Sequence, residues 1–346
     1  MCKKQINALT LPQLAERLKE MEQPAFRAKQ IFHWLHQKQV SEFSQMTDQP
    51  KTLLAKLEEE YDIVRLSIQR RQQSKDGTVK YLFGLPDGNC IETVVMRYTY
   101  GNTVCVSTQV GCRMGCRFCA STQAGLVRSL TAGEIAAEIY AAQADIGQRI
   151  SHIVLMGIGE PLDNFDNVMD FLTIISCPDG INIGMRNISL STCGLVPMID
   201  KLAQRKLQLT LSISLHAPND EMRSRMMPVN NAYPVAQLID ACRRYQKTTG
   251  RRISFEYSMV KGVNDSPETA RQLAGLIKGM GAHVNLIPIN PVDGSPYSAT
   301  DAANVRRFQQ LLEQLGVNAT VRRRLGSDIS AACGQLRREA REEVQG

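Results

Sequence analysis

The sequence predicts an α/β protein. It reads as an open, partial (β/α)6 barrel of TIM type, with an N-terminal helical module and a small antiparallel β extension in front. Three observations predict this. From about residue 102 onward, strand-like apolar runs alternate with amphipathic helical stretches, the pattern of a parallel sheet built from βα units. Residues 64–98 instead show period-two alternation interrupted by Asp76-Gly77 and Asp87-Gly88, the signature of short antiparallel strands joined by turns. Residues 1 to about 60 carry apolar positions at helical spacing.

Taken in order, Leu11-Pro12 opens a helix with Leu14, Leu18 and Met21 on one face. A second covers Phe26 to Gln37, with Ile31, Trp34 and Leu35 inward, and Pro50 precedes a third with Leu53, Leu54 and Leu57. Arg27, Lys29 and Lys38 fall on the opposite faces, where they serve equally as a grip for RNA or as a solvated surface. VRLSIQ, TVKYLFGL and CIETVVMRY make the meander. The barrel strands are drawn at Thr103–Ser107, His152–Met156, Asn187–Ser191, Leu209–Leu215, Ile253–Met259 and His283–Ile287. Helices are drawn at Thr131–Ala144, Pro197–Arg205, Pro234–Tyr245, Glu268–Met280 and Thr300–Leu315. The expected organisation is a helical accessory module over 1–62, the β extension over 63–98, the barrel over 99–321 and a tail over 322–346.

The chain has 346 residues, 43% hydrophobic and 22% charged, with a net charge of +7. That composition is globular, and the modest basic balance suits a polyanionic partner. MCKKQINALTLPQLAERLKE contains no apolar leader, and no run approaches a membrane span. A reducing, cytoplasmic setting and a monomer are expected. The ten cysteines are then better read as metal or redox ligands than as disulfides.

The compact run GCRMGCRFCA holds Cys112, Cys116 and Cys119. An ordinary iron–sulfur cluster takes four thiolates, and a structural zinc also takes four ligands. Three thiolates on a four-iron cluster leave one iron open to a ligand that is not protein. This C-x3-C-x2-C spacing resembles the signature of radical S-adenosylmethionine (SAM) enzymes, in which the open iron chelates SAM. Gly115 suits a tight loop, and Phe118 is placed to shield it from water. A zinc knuckle and buried structural thiols are the alternative readings.

In a TIM-type barrel the chemistry gathers at the C-terminal ends of the strands. The cluster loop follows the first strand, and other candidates end other strands. They are Gly159 and Glu160 in GIGEP, Ser191 before Thr192, then Ser214, Leu215 and His216, and Asn290 in IPINP. Each alone reads equally well as a helix cap or a satisfied hydrogen-bonder; their convergence favours a site. Glu92 sits in an apolar strand, either on its exposed face or held for proton transfer. Near the C-terminus, Arg322, Arg323 and Arg324 precede Cys333, which is flanked by small residues.

These pieces together resemble the RlmN/Cfr family of radical SAM RNA methyltransferases. The resemblance spans PAFRAKQIFHWLHQK, SQMTDQPK, IETVVM, CVSTQVGCRMGCRFCA, MGIGEPLDN, LSTCG, ISLHAPND, NLIPINP and GSDISAACGQL. GEPL, SLHA and IPINP look like the RlmN branch, which methylates C2 of adenine, rather than the C8-methylating Cfr branch. The resemblance implies one [4Fe–4S] cluster on Cys112, Cys116 and Cys119 and two SAM per turnover. It implies SAM contacts from Gly159, Glu160, Ser191, Ser214, Leu215, His216 and Asn290. Cys333 becomes the methyl carrier, Cys105 its redox partner and Glu92 a proton acceptor. The implied targets are an adenosine of 23S rRNA and, in many members, the adenosine beside the tRNA anticodon. A flavodoxin or ferredoxin is the implied electron donor. Cys2, Cys90, Cys177, Cys193 and Cys242 read as small apolar fillers. From the residues alone, a radical SAM enzyme with another substrate and a non-catalytic RNA-binding protein stay open.

Overall fold

The structure is a computed structural model and describes residues 3–289, 297–323, 325, 326, 328, 329 and 336. The chain opens with β1 (Lys4–Gln5), α1 (Leu11–Glu20), α2 (Phe26–His36), α3 (Lys51–Glu60) and β2 (Tyr61–Asp62). Thr10 and Gln13 form a reciprocal capping box at the start of α1, satisfying N–H groups the first turn would leave unpaired. Leu14 and Leu18 are buried as the spacing predicts, with Met21 half-buried beside them. Trp34 packs against the core as expected but stays half-buried, because its indole N–H reaches out to Asp48 Oδ1 at 2.6 Å.

The chain continues through β3 (Ser67–Gln73), β4 (Val79–Gly84), β5 (Cys90–Tyr98), β6 (Gly101–Cys105), β7 (Gln109–Gly111) and β8 (Leu126–Ser129). Next come α4 (Ala132–Ile146), β9 (Ile150–Leu155), α5 (Phe165–Ser176), β10 (Ile188–Thr192), α6 (Val196–Gln204) and β11 (Thr210–Ser214). The last are α7 (Asp220–Met226), α8 (Val235–Thr249), β12 (Ile253–Met259), α9 (Pro267–Leu276), β13 (His283–Pro288), α10 (Ala302–Gln314) and β14 (Asn318–Val321).

One sheet of ten strands runs β14-β13-β12-β11-β10-β9-β6-β5-β4-β3. From β6 through β9 to β14 the pairing is parallel, and from β6 back to β3 it is antiparallel. The meander is therefore no separate layer: Val94 pairs with Cys105, so β5 extends the barrel sheet directly. All six expected barrel strands are present within two residues of their drawn ends, and β14 adds a further parallel edge strand. Isoleucine, leucine, valine and phenylalanine from both sheet faces and from the N-terminal helices fill one continuous core. Asn7 ties the module down: its side chain accepts from Val64 N–H at 3.1 Å and donates to Val64 O at 3.3 Å. Among the described residues, no helix is long and apolar enough to cross a membrane.

Candidate active site

β7 and β8 are a short antiparallel pair that brackets the cysteine loop. At Gly111, φ is +84° and an added Cβ would lie 1.9 Å from Gly125 O; only glycine lets the two strands close this tightly. Gly115 has φ +70°, the conformation its place in the loop calls for. Cys112 N–H donates to Gly125 O at 3.0 Å, and Arg117 N–H to Met226 O at 3.0 Å. Thr122 Oγ1 donates to the carbonyls of Cys116 and Cys119. Cys112 and Cys116 are buried and Cys119 half-buried. Cys116 packs in an apolar nest with Met226, Met227, Val260, Ile289 and Phe118.

Burial pushes the Cys112 thiol up to about 12 and raises Cys116 as well, with mutual repulsion among the thiols adding to it. Such a group of three rejects protons only when a cation replaces them, which is the behaviour of thiolates that ligate metal. Among the described residues, no three His, Cys, Asp or Glu side chains converge on a single-ion site. A four-iron cluster asks for something different, one thiolate per iron at separate corners. Three soft, water-shielded thiols on one loop fit that requirement.

The loop borders a cavity of about 660 Å³, open at one side. Cys112, Cys116 and Cys119 line it, together with Gly159, Glu160, Ser191, Ser214 and His216. Gly159 has φ +109°, and a Cβ there would meet Gln109 Cβ at 2.6 Å. That close approach lets Gln109 Oε1 accept the Glu160 N–H at 2.9 Å. The buried Glu160 carboxylate accepts from Cys193 N–H at 2.7 Å and Leu162 N–H at 3.0 Å. Burial nevertheless raises its pKa, so an incoming cation would find a carboxylate short of positive charge. Ser191 and Ser214 hydroxyls lie 3.4 Å apart. Leu215 is not among the residues that line the cavity: its side chain is in the core, its N–H donates to Glu256 O at 3.1 Å and its carbonyl accepts from Arg223 Nε at 3.1 Å.

His216 has φ +58°, rare for a residue with a side chain. Asn264 holds it there, donating to the His216 carbonyl at 2.7 Å. His216 Nδ1 accepts from Ser258 N–H at 2.9 Å, and burial lowers its pKa to about 3. The neutral ring therefore carries its proton on Nε2, with the Phe118 ring edge-to-face against it at 4.9 Å.

Cys105, at the end of β6, is buried and lines the same cavity. Glu92 is also buried, on the face of β5 that presents Val94, Met96 and Tyr98 to the cavity. Its carboxylate pairs with the Lys80 ammonium at 3.0 Å, both side chains nearly free of solvent. The backbone there is fixed: Ser107 Oγ donates to Glu92 O at 2.7 Å, and the buried Glu138 carboxylate accepts from Ser107 N–H and Thr93 Oγ1. Of the tail, Arg322, Arg323, Leu325, Gly326 and Ile329 line the cavity. Asn290 and Cys333 lie outside the described residues.

Sequence reasoning missed three charged groups. Arg223, fully buried in α7, donates to the carbonyls of Cys193, Ser214 and Leu215 and to Asn230. It thereby staples two candidate strand ends together. Cys193, read as filler, is part of that staple through its backbone. Glu256 also lines the cavity, with Asn285 donating to it at 2.8 Å. Lys80, the third, had a visible signal: a lone charge in the apolar run VKYLFG, across from the strand that holds Glu92.

The chain is similar over nearly its full length to curated bacterial proteins. A "Probable dual-specificity RNA methyltransferase RlmN" from Desulforamulus reducens is 53% identical over 344 residues, 98% of each chain. The protein of the same name from Clostridium perfringens strain 13 is 54% identical over 336 residues, 97% of each. The chain belongs to the RlmN family of radical SAM RNA methyltransferases. Family models agree: the radical SAM superfamily matches residues 106–274, and the ribosomal RNA large subunit methyltransferase N-terminal domain matches residues 5–63. A crystal structure of a radical SAM methyltransferase from Sphaerobacter thermophilus superposes with a TM-score of 0.91 at 47% identity, covering 96% of this chain and 98% of that one. An RlmN-family chain is a SAM-dependent RNA methyltransferase, and the radical SAM family implies a [4Fe–4S] cluster and SAM.

Proposed function

We propose that this enzyme methylates C2 of one adenosine in 23S rRNA and C2 of the adenosine beside the anticodon in tRNA. In this reading Cys333 carries the methyl group and Cys105 releases the product. The observation that carries it is one shared cavity: Cys105 lines it together with the three loop cysteines, Val94, Met96 and Tyr98 of β5, and the tail that leads to Cys333, with Glu92 on the same face of β5 just outside the lining. The names of the relatives support RNA of two kinds as substrate.

Cys112, Cys116 and Cys119 would hold the cluster, which when bound would supply the electron for reductive cleavage of one SAM. Glu160 receives the SAM ammonium, whose charge favours the ionised carboxylate that burial disfavours. Gly159 allows the close approach of backbone, Ser191, Ser214 and Asn290 supply short polar contacts, and His216 donates from Nε2. Leu215 contributes its peptide group. The Cys333 thiolate takes the methyl of another SAM, because C2 of adenine is too weak a nucleophile to do so itself. The S-methyl carbon would exchange one C–H bond, its hydrogen atom passing to the 5′-deoxyadenosyl group, for a bond to C2; as the adduct gives up its unpaired electron, Glu92 would accept the C2 proton. The Cys105 thiolate would then attack the Cys333 sulfur: an S–S bond forms, the S–CH2 bond breaks, and its electron pair on carbon takes up the proton held by Glu92 to complete the methyl group. The Cys105–Cys333 disulfide is reduced before the next cycle.

The same reading assigns residues 1–62 to RNA binding, 63–98 to the wall that bears Glu92, 99–321 to SAM chemistry and 322–346 to methyl delivery. It includes a flavodoxin- or ferredoxin-type reductant and a cytoplasmic monomer. The test is Cys105→Ala, purified from cells. It should carry RNA covalently, as a shifted, nuclease-sensitive band, and Cys105→Ala with Cys333→Ala should carry none. A Cys105→Ala protein free of RNA and still turning over overturns the assignment. Nucleoside analysis of RNA treated with wild-type enzyme should give 2-methyladenosine; 8-methyladenosine alone would move the activity to the other branch.

A further inference from the structure

We propose that the turn between β3 and β4 is a clasp for the methyl-carrying tail, with Asp76 and Asp328 as positioning residues that set how closely the Cys333 thiol is tethered to the cavity. The proposal rests on the carrier reading of Cys333.

The contacts are reciprocal. Asp76 on the turn accepts the tail's Gly326 N–H on Oδ2 at 2.8 Å and its own Thr78 N–H on Oδ1 at 2.9 Å. Asp328 on the tail accepts the turn's Lys75 N–H on Oδ2 at 3.1 Å and the Ser74 hydroxyl on Oδ1. Each segment thus lends a carboxylate to the other's backbone, at two points along the tail. Charge-assisted bonds of this kind are about twice as strong as neutral ones. Two attachment points fix direction as well as distance.

The turn is a firm anchor. Ser74 N–H donates to Thr78 O at 2.8 Å, and Gly77 N–H to Ser74 O at 3.0 Å. Ser74 and Thr78 are buried. From this turn β4 runs directly to Lys80 and hence to the Lys80–Glu92 pair. The clasped stretch also forms part of the wall, since Thr78, Leu325, Gly326 and Ile329 line the cavity. Both carboxylates are held ionised: the Gly326 N–H draws Asp76 down to about 2, and the Ser74 hydroxyl draws Asp328 below its ordinary value.

Chain length gives the magnitude. Cys333 follows Asp328 by five residues, a reach of at most roughly 17 Å. Among the described residues, the next backbone hydrogen bond on the N-terminal side is Arg322 N–H to Leu286 O at 2.8 Å, while on the far side Leu336 is fully buried with or without the clasp. Without the clasp the tether on the N-terminal side grows to eleven residues and roughly 38 Å. Effective concentration falls with about the three-halves power of tether length, which alone is roughly threefold. Lost orientation adds to it.

The test uses the full-length, cluster-reconstituted enzyme and compares wild type, Asp76→Asn with Asp328→Asn, and Asp76→Ala with Asp328→Ala. Hydrogen exchange of the 322–336 peptide reads the clasp. Mass spectrometry of Cys333 after incubation with methyl-deuterated SAM reads methyl loading. In the alanine pair, exchange should rise in that peptide and loading should slow at least threefold, with iron content unchanged. The asparagine pair, which keeps one acceptor oxygen per residue, should fall between. Ser74→Ala removes a single donor and gives a smaller change of the same sign, should the alanine pair fail to fold. Wild-type exchange or wild-type loading in the alanine pair overturns the clasp alone. Absence of the deuterated methyl from Cys333 in the wild-type enzyme overturns the carrier reading, and the clasp with it.

Discussion

Lys80 and Glu92 form an ion pair that water scarcely reaches. Removing one partner of such a pair strands the other charge, at a cost of about 3–5 kcal/mol. Replacing both by apolar residues of similar size is often close to neutral. Lys80→Met should therefore lower the unfolding free energy by about 3–5 kcal/mol in urea, and Lys80→Met with Glu92→Leu should recover most of it. A single variant as stable as wild type would mean that Glu92 is solvated. For the loop, Cys116→Ala should keep the circular dichroism of the fold but lose stable iron and all 5′-deoxyadenosine formation. Normal cleavage by that variant would remove Cys116 from the ligand set. The residues proposed to react were more legible in the sequence than those that hold them in place. A cysteine, or a glutamate in an apolar strand, stands out by chemical type. Arg223 gives no such sign, because DEMRSRM is a mostly charged stretch with a second arginine two residues on, as on any wet helix.

Among the elements, the strands of five or more residues were legible and the shortest strands were not. β12 was drawn at Ile253–Met259, where it lies, because seven residues of apolar alternation outweigh local noise. β7 and β8 have three and four residues, too few for any period to register. Yet they set the entry and exit of the cysteine loop. α5 and α7 were not drawn, though Phe165, Val168, Phe171 and Leu172 mark α5 at helical spacing. The turn at Gly159 provides the test at this scale. Gly159→Ala combines a close contact with a backbone conformation that alanine resists, a strain of about 1–3 kcal/mol. Relief would displace Gln109 or Glu160. SAM affinity by calorimetry should fall at least tenfold, and unchanged affinity would detach this turn from the SAM site.

For the molecule as a whole, acid sensitivity follows from a seam between the helical module and the barrel. His36 in α2 is fully buried, its Nδ1 2.9 Å from the Tyr140 hydroxyl in α4. Burial lowers its pKa from 6.5 to about 3. Below pH 6.5 the unfolded chain takes up a proton there that the folded chain refuses. Stability is complete above that pH and is lost progressively down to about pH 3, at most about 1.4 kcal/mol per pH unit. His216 behaves alike. Urea denaturation at pH 7, 6 and 5 should show this slope, and His36→Gln should flatten it by about one proton's worth. Equal slopes would mean that the imidazole titrates freely in the folded state.

The ten-stranded sheet has a property that bears on how the enzyme is made. Its spatial order is its order along the chain, from β3 to β14 without exception. Each strand can be added to a finished edge as it leaves the ribosome, and none has to be wedged between two already in place. At ~5–20 residues per second, the sheet can grow at the pace of translation. Among the described residues, the hydrogen bonds that lag furthest behind that pace are those of Ser74 and Asp76 with Asp328 and Gly326, which span 254 and 250 residues. They close only after nearly the whole polypeptide is out. A nascent chain can thus possess a built barrel before the clasp that tethers its tail has closed, so on the carrier reading of Cys333 methyl delivery is the last function the chain acquires.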